Sequence, residues 1–326
     1  MKDLIVRLAE ACGPSGNEDL VRALLKEAVA DYADEVREDV VGNLIATKKG
    51  NGQDKKHLAL VAHMDEQGLM IVHIEEGGRL RVGGIGPIEP AFFVGQRVMF
   101  PNGTVGVVGT EAKDASDVTT MNLFIDLGVE TKVEAEARVK VGDSCVISQS
   151  SFELAENRLV GKALDNRAGC AAAVEVLKKL GTSEHDVSVI FSVQHGVGSR
   201  GVQTAGYSLK PDFALVIDSV NTDHAQMIEL GKGTSVKIMD SNSIVPPRIK
   251  HFLIEQAEAA GVPYQLEVNP SSPSDIGALL RIEAGIPSGG LSIPVRYAVT
   301  GSEMIDLRDV NATIDLAVKA LQSYSL

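Results

Sequence analysis

The run Val187-Ser-Val-Ile-Phe-Ser-Val-Gln-His195-Gly-Val-Gly-Ser-Arg-Gly201 constrains the fold more than any other stretch of the chain. Its first half is β-branched and apolar at nearly every position, so neither face of the strand can meet water, and the glycines that follow break it sharply. Such a strand belongs inside a sheet covered by helices. In open α/β sheets ligands bind beyond the carboxyl ends of the strands, which places His195 at the mouth of any site. The plainer alternative is that His195 caps the loop through a backbone hydrogen bond.

The rest of the chain alternates accordingly. Residues 3–34 carry apolar and charged positions at helical spacing, broken at Gly13-Pro14-Ser15-Gly16. That pattern predicts two helices, with Asn17 as N-cap of the second. Val36–Thr47 reads as strand, turn at Gly42-Asn43, strand, and His57–His63 is an apolar run that ends in His63-Met64-Asp65-Glu66. From Gly68 to about Leu154 helical periodicity vanishes, and short β-like runs such as Thr104-Val-Gly-Val-Val-Gly are separated by glycine and proline. This stretch predicts a small inserted barrel or sandwich. Beyond it, Cys170, Val174 and Leu177 recur at helical spacing after Asp165. Strands are predicted over 213–218, near 234–239, over 264–268 and over 286–294. Helices are predicted over 247–260 and at the end of the chain to Tyr324, the last capped by Asp309.

Composition narrows the function. At 326 residues a two-domain organisation is the natural expectation, and no apolar run in the sequence approaches the ~20 residues needed to span a bilayer. The start, Met-Lys-Asp-Leu-Ile-Val-Arg, has no apolar core of a secretion signal, which predicts a cytoplasmic protein. A net charge of −13 without a basic tract argues against nucleic acid or an anionic membrane as partner. Cys12, Cys145 and Cys170 are odd in number and lie far apart, so buried free thiols are expected.

Three strand ends or following turns carry metal-competent groups: His63 with Asp65 two residues on, Asp165, and Asp218. An imidazole with two carboxylates suits zinc, cobalt or manganese, and Asp65 is placed to fix the tautomer of a ligating His63. The spacing is not compact, and the same carboxylates serve equally well as caps of helices and turns. Residue chemistry alone leaves both readings open.

Five motifs in order change the balance. Ala62-His63-Met64-Asp65-Glu66, Gly161-Lys-Ala-Leu-Asp165-Asn166-Arg167, Val197-Gly-Ser-Arg-Gly-Val-Gln-Thr-Ala205, Ile217-Asp218, and Ile293-Pro-Val-Arg296-Tyr297 with Glu303 and Asp306-Leu307 together resemble the glutamyl aminopeptidase, tetrahedral aminopeptidase and cellulase M family of dinuclear metallopeptidases. The resemblance runs almost end to end. It implies a three-layer α/β/α metallopeptidase domain (1–67 and 155–326) interrupted by a β-barrel assembly domain (68–154). It also implies self-association through that barrel, as a dodecamer or a dimer, and removal of amino-terminal residues from peptides.

In that family Asp165 matches the aspartate that bridges two metals, and His63 with Asp218 matches the set completing one of them. The other metal takes a glutamate and a histidine, and a second glutamate is the general base. The matching positions here are Gly196 and Val299 for the ligands and His195 for the base. The resemblance therefore implies one divalent metal, with a second not expected. Losing a positioned base removes roughly 10²–10⁴ in rate, and losing the second ion forfeits further transition-state stabilisation. The expectation is a pseudoenzyme, inactive or strongly impaired, acting as scaffold or regulatory subunit with itself or an active paralogue. One alternative is a mononuclear aminopeptidase with His195 as base; another is a non-catalytic peptide-binding protein. His195 or His224 as a fourth metal donor is a further expectation.

Overall fold

Two helices and three strands precede a β-rich stretch, and helix and strand alternate after it. The computed structural model describes residues 1–223 and 227–325. Helices α1 (Lys2–Glu10) and α2 (Asp19–Val29) lead into strands β1 (Glu35–Glu38), β2 (Leu44–Lys48) and β3 (His57–His63). The β-rich stretch holds β4 (Gly68–Ile74), β5 (Leu80–Ile85), β6 (Arg97–Met99), β7 (Val105–Thr110), β8 (Leu123–Asp126), the short helix α3 (Lys132–Glu136) and β9 (Ser144–Ile147). Then come β10 (Phe152–Ala155), β11 (Arg158–Gly161), α4 (Leu164–Lys179), β12 (Asp186–Ser192), α5 (Arg200–Leu209) and β13 (Phe213–Asn221). The chain closes with β14 (Thr234–Met239), α6 (Pro247–Ala260), β15 (Tyr264–Val268), α7 (Ile276–Leu279), β16 (Ser288–Arg296), β17 (Glu303–Asp306) and α8 (Leu307–Gln322).

Strands β4 to β9 close into a barrel in the order β4-β5-β8-β7-β6-β9, filled by its own apolar cluster including Leu69, Phe100 and Ile125. The other strands form one large sheet ordered β1-β2-β12-β3-β13-β16-β17-β11-β10, with β14 and β15 branching from β16. Its centre is parallel: β12, β3, β13 and β16 run side by side in one direction. Central strands must therefore be apolar on both faces, and Leu58–Ala62, Val189–Phe191 and Phe213–Ile217 are fully buried or nearly so.

Two neighbouring glycines mark the layers. A Cβ on Gly289 would strike Ile249 and Leu253 of α6, whereas one on Gly290 would strike Ile276 of α7. Helices α1, α2, α4, α6 and α8 cover the first face, with α4 at its middle against β3 and β13, and α5 and α7 cover the second. Helix α4 can lie deep because it is built from Gly169-Cys-Ala-Ala-Ala173, all buried, which lets its backbone approach the sheet closely.

The sequence reading needs correction at several ends. Asn17 does not cap α2; its amide reaches Ser144, and Glu18 occupies the capping position with its carboxylate folded back on the Gly16 N–H. Asp306, not Asp309, caps α8 by accepting from Arg308 N. Asp309 turns inward instead and accepts the N–H groups of Gly231 and Gly233. Strand β12 stops at Ser192, so His195 stands three residues out on the following loop. All three cysteines are free and buried. Among the described residues no helix is long and apolar enough to cross a membrane.

Candidate metal centre

Strand register brings the polar groups together. Ser192 pairs with His63 across β12 and β3, and Asp218 pairs with Ser292 across β13 and β16. Since directly opposed residues share a sheet face, these side chains lie on the α5/α7 face, along the carboxyl ends of the parallel strands. Asp165 arrives from the first turn of α4, next to β3. Among the described residues, donor atoms of His63, Asp165 and Asp218 all lie within 4.8 Å of one another. His63 Nε2 is 3.5 Å from Asp165 Oδ1 and 3.7 Å from Asp218 Oδ1.

These residues fit a divalent ion. Asp165 Oδ1 is buried without a hydrogen-bond partner, the state of an oxygen reserved for a cation rather than for an N–H group. The set of one imidazole and two carboxylates suits zinc, cobalt or manganese. His63 Nδ1 lies 3.3 Å from the Asp65 carbonyl and 3.4 Å from Asp65 Oδ1, which turns Nε2 toward the two aspartates. Burial works against a charged His63, but the nearby carboxylates of Asp165, Asp218 and Asp65 outweigh it and raise its pKa well above the ordinary histidine value. Burial would raise Asp218, yet the bond from His63 holds its pKa below the usual carboxylate range.

Asp65 has a second task. Its Oδ1 accepts His195 N–H and its Oδ2 accepts Gly196 N–H, both at 3.0 Å, while Ser15 Oγ donates to Oδ2 at 2.5 Å. One buried carboxylate thus pins the loop after β12 to the end of β3. The His195 ring stacks on that of His63, with centroids 4.1 Å apart and planes 10° from parallel. Its Nδ1 bonds Asp275 Oδ1 at 2.7 Å, and Asp275 Oδ2 accepts from Ser192 Oγ at 2.9 Å. His195 is not part of the converging donor set, and His224, the other expected fourth donor, lies outside the described residues.

Gly196 and Val299 both line the cleft, a cavity of about 360 Å³ that His63, Asp165, His195 and Glu303 share. Neither offers a donor atom from its side chain. Val299 holds φ +63°, a left-handed conformation that β-branched residues rarely take. Glu303 holds its backbone: Oε1 accepts Val299 N–H at 2.8 Å and Oε2 accepts Asp165 N–H at 2.9 Å. Burial, then the neighbouring Asp165 charge, push the Glu303 pKa up to about 8.

Sequence reasoning assigned no role to Asp275, Glu303 or the trio behind the site. In that trio Glu66 receives Lys162 Nζ at 2.7 Å and Arg167 at 3.0 Å, while Arg167 also ties down the Leu8 and Gly13 carbonyls. Glu66, Lys162, Arg167 and Glu303 all fall inside the quoted motifs, which was the available signal. Asp275 had none.

The description of the M42 glutamyl aminopeptidases matches residues 42–316. The chain belongs to that family. M42 members are metal-dependent peptidases, in keeping with the His-Asp-Asp cluster. Within it, the chain is 32% identical over 339 residues to the lysyl aminopeptidase of Pyrococcus furiosus, covering 98% of this chain and 96% of the relative. Among solved structures, the aminopeptidase of the archaeon Desulfurococcus kamchatkensis superposes with a TM-score of 0.93 at 33% identity, covering 99% of this chain and 94% of that one. The TET1 peptidase of Pyrococcus horikoshii, which can assemble into a tetrahedron or a large octahedral shell, gives 0.90 at 27% identity with 99% of each chain covered. The three-layer core with an inserted barrel is thus the M42 fold.

Proposed function

We propose that this M42 chain holds one divalent ion on His63, Asp165 and Asp218 and is strongly impaired as a peptidase, its retained contribution being to assembly and peptide binding in a cytoplasmic setting. The observation that carries this reading is the contrast within one cleft. Three donors converge within 4.8 Å, while Gly196 and Val299 bring no donor to the matching second position. An ion at the first position supplies Lewis-acid polarisation of a carbonyl or of water. The residues of this chain do the rest: Asp65 orients His63, and Glu303 holds the Val299 loop against Asp165.

A second reading, residual hydrolysis with a single ion, has its own support. By the sequence resemblance His195 falls where the family has its base, and it lines the cleft and is held by a buried carboxylate. It would accept a proton from water at Nε2 and pass it to the departing amine. Turnover through this route falls below that of a two-ion relative by roughly 10²-fold or more, because the second polarising charge is lacking.

The barrel (68–154) is the part we assign to self-association, by analogy with the shells formed by the TET1 relative, with an active paralogue as the other candidate partner. Hydrolysis of amino-acid p-nitroanilides by metal-loaded protein tests the impairment directly. The reading expects slow, chelator-sensitive release that rises at least tenfold in the triple variant H195E/G196E/V299H. Wild-type rates equal to those of a two-ion relative would refute it.

A further inference from the structure

The bond between His195 and Asp275 joins two elements that are distant in sequence. Asp275 is the residue before α7, 1% exposed, and sits beneath the loop that follows β12. Its carboxylate has two partners: Oδ2 accepts from Ser192 Oγ at 2.9 Å, and Oδ1 meets His195 Nδ1 at 2.7 Å. Ser192 belongs to β12 and pairs with His63, so the carboxylate is anchored to the same strand row that carries the metal candidate. The hydroxyl fixes one oxygen and leaves the other aimed at the ring.

Three further contacts restrict His195. Its backbone N–H is held by Asp65, its ring lies flat on His63, and its carbonyl accepts from Gly198 and Ser199. A side chain that only capped the loop would need none of the ring contacts. A carboxylate beside Nδ1 selects the tautomer that carries its proton there, leaving Nε2 as the nitrogen available to the cleft.

We propose that Asp275 is the positioning residue for His195, fixing the Nδ1–H tautomer and presenting the Nε2 lone pair to the cleft as the proton acceptor. This rests on the reading of residual single-ion hydrolysis. In the step, a water O–H bond breaks as its oxygen bonds to the peptide carbonyl carbon, and the proton moves to Nε2. The C–N bond then breaks and the same proton goes to the amine nitrogen. The Nδ1 proton stays on the ring throughout, and Asp275 remains a carboxylate beside the transient imidazolium.

Magic-angle-spinning NMR of 15N-histidine-labelled protein, at alkaline pH where the ring is neutral and with His195 assigned through H195Q, reads the tautomer without reference to activity. The wild type is expected to show protonated Nδ1 and bare Nε2. The reverse tautomer in the wild type overturns the proposal, whether or not any variant folds. The Asp275→Asn variant, nearly isosteric and able to donate to Nδ1, is expected to switch the proton to Nε2. It should lower kcat at least tenfold with KM little changed, and metal content should stay as in the wild type. Asp275→Glu, which keeps the carboxylate, should recover part of the loss. An unchanged tautomer and an unchanged kcat in D275N also overturn it. If the wild type shows no hydrolysis at all, the single-ion reading falls, and with it the catalytic purpose of the pair, while the NMR still decides whether Asp275 sets the tautomer.

Discussion

Glu303 bridges Asp165 and Val299: one of its oxygens accepts the Asp165 N–H at 2.9 Å and the other the Val299 N–H at 2.8 Å. The two bonds tie the loop around Val299 to the first turn of α4. Val299 is left-handed at φ +63°, and its N–H is held by Glu303. Such a conformation costs a β-branched residue about 1–3 kcal/mol, and asparagine tolerates it far better. Val299→Asn is expected to stabilise the protein by about 1 kcal/mol, read as a higher denaturation midpoint. A lower midpoint would mean that contacts of the Val299 methyl groups outweigh the strain.

The buried pair of Lys237 and Glu267 predicts asymmetric mutational costs. The two side chains are 2% and 0% exposed and meet at 2.5 Å, and the Lys237 stem crosses the bare Cα of Gly290. Removing one charge strands the other, so Lys237→Met should cost about 3–5 kcal/mol. The double change Lys237→Met with Glu267→Leu should recover most of it. Urea midpoints of the single and double variants check this, and equal losses would contradict it.

Asp309 gives a pH signature remote from the metal candidate. Burial raises its pKa to about 6, although the Gly231 and Gly233 N–H groups pull the other way. An acid whose pKa is raised on folding contributes stability below its unfolded value, near 4, and loses it as pH rises through 6. Asp309→Asn removes that ionisation but sacrifices one N–H partner. Its deficit relative to wild type should therefore be largest at pH 4 and shrink by roughly 2 kcal/mol by pH 7. Calorimetric midpoints across that range measure it; a deficit that grows with pH would contradict the assignment.

The legible part of the fold was the part written in periodicity. Runs such as Leu58–Ala62 and Phe213–Ile217 announce two-sided burial whatever surrounds them, and the glycine-punctuated stretch after Gly68 announced the barrel. Caps were less legible, because Asn17 and Asp309 are good capping residues whose side chains find other partners only once Ser144, Gly231 and Gly233 are brought beside them. The site divided in the same way. His63 ends its strand as the sequence marks, Asp218 lies inside β13, which runs three residues past the expected end, and Asp165 lies in a motif. The role of Asp275 depends on a contact with His195 across eighty positions, for which no local pattern exists.

Loss of a single donor should empty the remaining position. His63→Ala or Asp218→Ala removes one of three converging groups, so metal content after desalting should fall to near zero while the fold persists. Retention of the ion in both variants would place it elsewhere in the molecule.

Protein saturated with cobalt or zinc, freed of excess ion and analysed by inductively coupled plasma mass spectrometry should carry one ion per chain, and G196E/V299H should carry two. A Cβ at position 196 would come 2.9 Å from Ser15 Oγ, a contact that rotation of the serine relieves. Two tightly held ions per chain in the wild type would contradict the account.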